Sequence, residues 1–375
     1  MLGASDLRQA EGLTALYRDV LGGLRDPVVR DVLWLLGSPP LLAAAVPQAL
    51  AQPDTDLLAR IAAWLVRLDD ASGALHAVLA ATPQKRLGHY AERLLAFFLE
   101  SGLTGRLIAA NLPLRRGNQT LGECDFLLEA EDGTRLHWEL AVKCYLCVAP
   151  AGAENEAATR GDRDDIDQGN RGNRWQSFAR YVGPNLADRF DLKLTRMFEH
   201  QLPLSKRPEF AAQIGGGPWH AELFLRGWLF YPLMSGHGEA IASETSLPAL
   251  LNPQHLHGWW GTTQAWSDRA HSLGAEVWRV LPRLQWMAPR RIDSAGADAA
   301  VLVDATTLRE RLDAHFGAPP LAPTPTANSN GSAQPGPWLI AGFARQQDLW
   351  VEVTRGFVVD DAWPERARRY AAGAA

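Results

Sequence analysis

Two carboxylates and a lysine gather in one short stretch, residues 122–148, which reads GECDFLLEAEDGTRLHWELAVKCYLCV. Asp132-Gly133 is a turn signal between two strand-like runs, so the stretch predicts a β-hairpin. Asp125 falls near the start of the first strand and Glu139 on the second. Residues two apart on a strand share a face, so Glu139, Ala141 and Lys143 point the same way. Antiparallel pairing about the turn sets residue 125 roughly opposite residue 140 and lets Asp125 and Glu139 converge. Two carboxylates, completed by a carbonyl oxygen and waters, suit Mg²⁺ or Mn²⁺, which favour hard oxygen ligands. Such an ion can activate water and stabilise charge on a phosphodiester. A nearby lysine adds positive charge where negative charge develops.

These residues need elements to hold them. The run Gln84–Ser101 predicts a helix with Leu87, Ala91, Leu94 and Phe98 on one side, and it carries Glu92. Extended segments follow at Leu107–Leu114, Gly122–Ala130 and Thr134–Val148. A second helix is expected over Asn185–Gln201, packed along Leu186, Phe190, Leu194 and Met197, with Lys193 and Gln201 beside that stripe. Strand-like runs come at Ala221–Tyr231, Glu276–Trp286, Trp338–Ala344 and Leu349–Val359. Upstream, residues 1–83 read as helical, with amphipathic spacing in Val28–Leu36 and Asp56–Leu68. There Arg30 and Asp31 are expected on solvated faces or in local ion pairs. Residues 317–336 are rich in Pro, Ser and Asn and read as a linker or surface loop. The order is that of a mixed α/β protein preceded by a helical segment. It divides into a helical segment (1–83), a core (84–235), an extension (236–316), the linker (317–336) and C-terminal strands (337–375).

In HYAERLLAFFL, GECDFLL, HWELAVKCYL and WQSFARYVGPNLADRF with its following KL, the chain resembles the PD-(D/E)XK phosphodiesterase superfamily. More closely, it is similar to an uncharacterised bacterial domain-of-unknown-function family assigned there, to which RGWLFYP, LPRLQWMAP and RGFVV also correspond. The resemblance implies a restriction-endonuclease-like mixed sheet flanked by helices, with a helical N-terminal segment and added C-terminal strands. It makes Asp125 and Glu139 ligands of Mg²⁺ or Mn²⁺ and Glu92 the acid that completes the site. It implies a nuclease acting on DNA rather than RNA. The sequence departs from the pattern at the lysine, whose usual position is Ala141. Lys143 is on the same face but roughly 7 Å further along, at a rise of about 3.3 Å per residue. The role falls to Lys143 or passes to Lys193. The alternative is a catalytically silent core retained for binding nucleic acid or protein.

Residues 168–183 (QGNRGNRWQSFARYVG) interleave Arg171, Arg174 and Arg180 with Trp175, Phe178 and Tyr181. Arginines of this kind hold phosphates while aromatics stack on unpaired bases; the other reading is a helix end whose aromatics pack inward. The acidic run Asp162, Asp164, Asp165 and Asp167 just before it reads as solvated, within a loop over residues 151–173. The net charge of −5 confines any nucleic-acid contact to a local patch. Three cysteines, Cys124, Cys144 and Cys147, make no disulfide framework, and strand alternation sends Cys144 and Cys147 to opposite faces. His255 and His257 are expected to be a packed or hydrogen-bonded pair. No run is apolar over the roughly 18 residues that span a bilayer, and nothing resembles a secretion signal, so the reading is cytoplasmic.

Overall fold

The Asp132-Gly133 turn closes as the residues require. Gly133 takes a positive φ of 81°, and the Asp132 carboxylate accepts the Thr134 N–H at 2.9 Å. On either side run β2 (Gln119–Glu129) and β3 (Arg135–Cys147), and β1 (Arg106–Arg116) pairs antiparallel with β2 on its outer side. The hairpin register is Phe126 opposite Trp138, which sets residue 125 against 139 and not 140. The paired ladder ends at Phe126. Beyond it, the Asp125 carboxylate itself accepts the Leu140 N–H at 2.8 Å.

The computed structural model describes residues 15–50, 53–148, 174–215, 217–233, 247–317 and 335–373. Arg171, the loop expected at 151–173 with its acidic run, and residues 318–334 of the expected linker lie outside these. Further along come β4 (Tyr181–Val182), β5 (Trp219–Pro232), β6 (Leu256–Thr262), β7 (Val277–Val280), β8 (Arg291–Asp293), β9 (Trp338–Gln346) and β10 (Leu349–Val359). Among the described residues the strands form a single ten-stranded sheet. Its order is β1-β2-β3-β5-β6-β10-β9-β7, with β4 on β3 and β8 on β10. The four central strands β3, β5, β6 and β10 are parallel, and antiparallel pairs close both flanks. Parallel strands need helices over both faces, and the burial of alternate residues on each side of β3 and β5 fits that demand.

The helices are α1 (residues 15–23), α2 (Pro27–Gly37), α3 (Thr55–Asp70), α4 (Gly73–Ala81), α5 (Leu87–Leu99), α6 (Phe190–Arg196), α7 (Pro208–Ile214), α8 (Thr263–Ser267), α9 (Ala305–Gly317) and α10 (Trp363–Ala371). On one face, α2, α3 and α5 bury Leu33, Leu65, Leu94 and Phe98 with Trp138, Leu140 and Val142 of β3 and Phe224 of β5. On the other, Phe190 and Leu194 of α6 pack with Ala141 and Tyr145 of β3 and Leu223 of β5. Helices α8 and α9 cover the β6–β10–β9 end, where Trp266, Trp278, Leu308 and Leu312 are buried.

Strand β6 has no counterpart among the sequence expectations, because LHGWWGT carries two glycines. Gly258 has a packing reason: a Cβ there would stand 2.7 Å from both the Arg355 carbonyl and the Phe230 ring. The expectation for α2 needs correction. Its Arg30 and Asp31 are not on a solvated face but are buried, at 4% and 1% exposure. Nor is the ion pair local. Asp31 accepts from Arg290 at 2.9 and 3.1 Å, and also from the Tyr90 hydroxyl at 2.9 Å and the Ala288 N–H at 3.0 Å. Arg355 donates to the carbonyls of Trp286, Met287 and Ala288 and pairs with Glu352. Residues 286–290 are thereby clamped between α2 and β10.

Candidate active site

The geometry at the open end of the hairpin follows from three elements. Helix α5 lies over β3 and carries Glu92, the hairpin supplies Asp125 and Glu139, and α6 supplies Lys193. Glu139 is 1% exposed. One of its oxygens faces His137 Nε2 at 2.8 Å, and the other accepts from Gln201 Nε2 at 3.2 Å. His137 in turn contacts Ser205 Oγ through Nδ1 at 3.1 Å.

The electrostatics show which groups share the space. Burial, and then the charge of Glu139, push the Asp125 carboxyl from its ordinary 3.8 up to about 8; Glu92 adds to the rise, while the Leu140 N–H and Lys193 oppose it. Glu92 is likewise raised, first by burial and then by Glu123 and Glu139, against His89 and Lys193. Lys193 is lowered by burial and by Lys143, with Asp188 and Asp125 pulling the other way. So Glu92, Asp125, Glu139 and Lys193 stand within one another's fields.

The two candidate lysines separate here. Lys143 forms an ion pair with Asp188, which also accepts from the Tyr145 hydroxyl at 3.1 Å. Lys193 is the lysine whose charge acts on Asp125. Position 141, where the resemblance leads one to expect lysine, holds an alanine 5% exposed. The expected single helix over 185–201 is broken into α6 and a π-helical turn, Met197–Gln201. A π turn inserts an extra residue per turn, so side chains after it change direction; such turns recur at functional sites. Gln201 closes this one and reaches Glu139.

The aromatics of the arginine-rich segment pack inward. Trp175, Phe178 and Tyr181 are 2%, 0% and 0% exposed; Trp175 sits edge-on to Phe178, and Phe178 and Tyr181 sit edge-on to Phe190. Trp175 thus has no exposed face to offer a base. Arg174 is exposed, its guanidinium 4.2 Å from the Trp175 ring centroid and 5.1 Å from that of Phe198. Phe198 lies in the π turn, so Arg174 sits beside the element that brings Gln201 to Glu139. Arg180 is half-buried over Tyr181.

Cys144 and Cys147 face opposite sides of the sheet, as strand alternation requires. His255 is hydrogen-bonded to the Tyr231 hydroxyl at 2.8 Å and to the Asn252 carbonyl at 2.6 Å, with the His257 ring 6.2 Å away. Its burial drives its pKa down to about 4. Sequence reasoning missed His137, although it lies two residues before Glu139 and therefore on the same strand face. It also missed Asp188, which no spacing links to Lys143.

A large mixed sheet covered by helices defines the protein as mixed α/β, with carboxylates crowded at one hairpin. The chain belongs to the family described as "Domain of unknown function (DUF1853)", whose model matches residues 30–359. No curated protein and no solved structure matches it. Among the described residues, no helix is long and apolar enough to cross a membrane.

Proposed function

We propose that the chain is a metal-dependent phosphodiesterase of the PD-(D/E)XK type, with a restriction-endonuclease-like core, that hydrolyses DNA. The observation that carries this reading is the gathering of Glu92, Asp125 and Glu139 with Lys193 from three separate elements. One buried carboxylate (Glu139) and two half-buried ones (Glu92 and Asp125) beside one lysine leave an excess of negative charge that a divalent cation would neutralise. Their hard oxygens fit Mg²⁺ or Mn²⁺. When bound, the ion supplies a water of lowered pKa and a charge beside the scissile phosphate.

The chain's own residues do the rest. Asp125 and Glu139, with Glu92, would hold the ion. Gln201 and His137 fix the orientation of the Glu139 carboxylate. Lys193 places a positive charge beside Asp125, where it can neutralise charge developing on the phosphate. Arg174 and Arg180 are suited to contact the strand flanking the site, and the −5 charge of the whole chain restricts binding to that area.

One observation favours a silent binding core instead. The motif position for lysine is a buried alanine, and Lys143 is engaged with Asp188. One experiment separates the two readings: incubate plasmid, linear, single-stranded and branched DNAs, and RNA, with wild type and Asp125→Ala in Mg²⁺, Mn²⁺ or EDTA. Metal-dependent cutting that the variant loses supports the phosphodiesterase. A folded wild type that cuts none of them favours the silent core, for which binding would be salt-sensitive and indifferent to Asp125→Ala.

A further inference from the structure

We propose that Cys124, His137 and Glu139 form a second metal site, one that takes a thiophilic divalent ion, Zn²⁺ foremost, and shares Glu139 with the hard-ion site. Their donor atoms all lie within 4.8 Å of one another. The three residues are 0%, 0% and 1% exposed. Zinc bonds of about 2.0–2.3 Å place donors roughly 3.5 Å apart in a tetrahedral site, so a contraction of about an ångström would close this one. The donor set is one thiol, one imidazole and one carboxylate. Mg²⁺ has little affinity for sulfur, and borderline ions such as Zn²⁺ and Co²⁺ favour it.

The surroundings are already those of a metal site. An imidazole that binds a metal through one nitrogen is normally held by a hydrogen bond at the other, and its neighbouring carboxylate is held as well. His137 presents Nε2 toward Glu139 while Nδ1 meets Ser205 Oγ at 3.1 Å. The second oxygen of Glu139 takes the Gln201 amide. Gln201 closes the π turn and Ser205 lies in its 3₁₀ continuation, so one irregular segment braces both ligands. Leu114, Leu127, Leu204, Phe210 and Trp219 form an apolar shell about Cys124. Binding would release the thiol proton to solvent and replace the His137–Glu139 hydrogen bond with two bonds to the ion.

Sharing Glu139 has a functional consequence, which rests on the phosphodiesterase reading. Zn²⁺ here would draw a ligand away from the hard ion and inhibit cleavage. The site itself does not depend on that reading, and its test is spectroscopic. The reduced full-length protein is titrated with Co²⁺, then with Zn²⁺. The expected result is a thiolate-to-cobalt charge-transfer band at one equivalent, bleached by Zn²⁺, kept in Cys147→Ser and Asp125→Ala and absent in Cys124→Ser. Ser205→Ala, which leaves all three ligands in place, should weaken binding by about 10- to 100-fold. No band in folded wild type, or a band that survives Cys124→Ser, would overturn the site. If the band is present and Mg²⁺-dependent cleavage occurs, one equivalent of Zn²⁺ should suppress cleavage in wild type and not in Cys124→Ser. Equal cleavage with and without Zn²⁺ would overturn the shared use of Glu139.

Discussion

The molecule withdraws two groups of charges from water, one fully and one in part, and treats them in opposite ways. Around α2 and β10, Asp31 and Glu352 each face a guanidinium, from Arg290 and Arg355, and every one of these side chains is below a tenth exposed. At the hairpin, Glu92, Asp125 and Glu139 share one lysine, and Asp125 is driven up to about 8. Glu139 is as buried as any of the first group, while Glu92, Asp125 and Lys193 are half-buried, so burial alone does not mark a site. What differs is the balance of charge. A matched network holds three distant segments in register, whereas an unmatched one carries a cost that a proton or a bound cation would remove.

The strongest way to break this contrast is to remove one carboxylate from each group. Asp31→Ala leaves Arg290 buried without its partner and should cost about 3–5 kcal/mol in urea unfolding. Asp125→Ala relieves repulsion but takes the acceptor from the Leu140 N–H, and should cost no more than about 1–2 kcal/mol in the metal-free protein. Similar losses for the two variants would mean that the hairpin carboxylates are structural after all.

The lysines sharpen it next. Lys193→Ala should lower metal-dependent cleavage by about 10²–10³-fold, the usual loss of one group that stabilises developing charge. Lys143→Ala, which removes the partner of Asp188 and a like charge near Lys193, should lower it by less than about tenfold. Equal effects in steady-state rates would return the role to both lysines.

How much of this was legible in the sequence depends on the range of the contacts. The hairpin was, because turn chemistry and two-residue alternation are local; β10 falls at Leu349–Val359, as its run of apolar residues predicts. The convergence of Asp125 and Glu139 was legible for the same reason, although the register was one residue off. It is set by the turn, which places three residues, 131–133, between the paired Ala130 and Thr134, where a two-residue turn at Asp132-Gly133 would have set 125 against 140. The pairing of Asp31 with Arg290 was not legible, since 259 residues separate them and no local pattern joins them. Neither was β6, whose glycines answer to Phe230 and Arg355 packed against it. The π turn that aims Gln201 also has no signature in a helical stripe.

Proton linkage gives a smaller but cleaner test. A carboxyl whose folded-state pKa lies well above its ordinary 3.8, as for Asp125 at about 8, keeps its proton after the unfolded chain has lost it. Its contribution to stability is therefore full at acid pH and is lost as pH rises through about 4 toward 8. Between about pH 5 and pH 8, metal-free wild type should lose on the order of 2 kcal/mol relative to Asp125→Asn. Saturating Mn²⁺ at the higher pH should restore that loss in wild type and not in the variant. Parallel pH curves for the two proteins would remove the claim that the hairpin is electrostatically strained.

The smallest effect lies between the two groups, at the pair of Lys143 and Asp188, which are 28% and 35% exposed. Water screens such a pair, so Asp188→Asn should change stability by less than about 1 kcal/mol. Its influence on Lys193 is a separate matter. Lys193 is held below its usual range by burial and by Lys143, and Asp188 is the first charge that opposes them. Without Asp188, Lys143 bears on Lys193 uncompensated and the ammonium gives up its proton more readily. The alkaline limb of the cleavage profile should then move to lower pH in Asp188→Asn, while Lys143→Ala should move it the other way. Shifts of opposite sign in two variants of one ion pair would be hard to obtain from a general loss of structure. A limb that stays fixed in both would mean that Lys193 is not the group whose protonation limits the reaction.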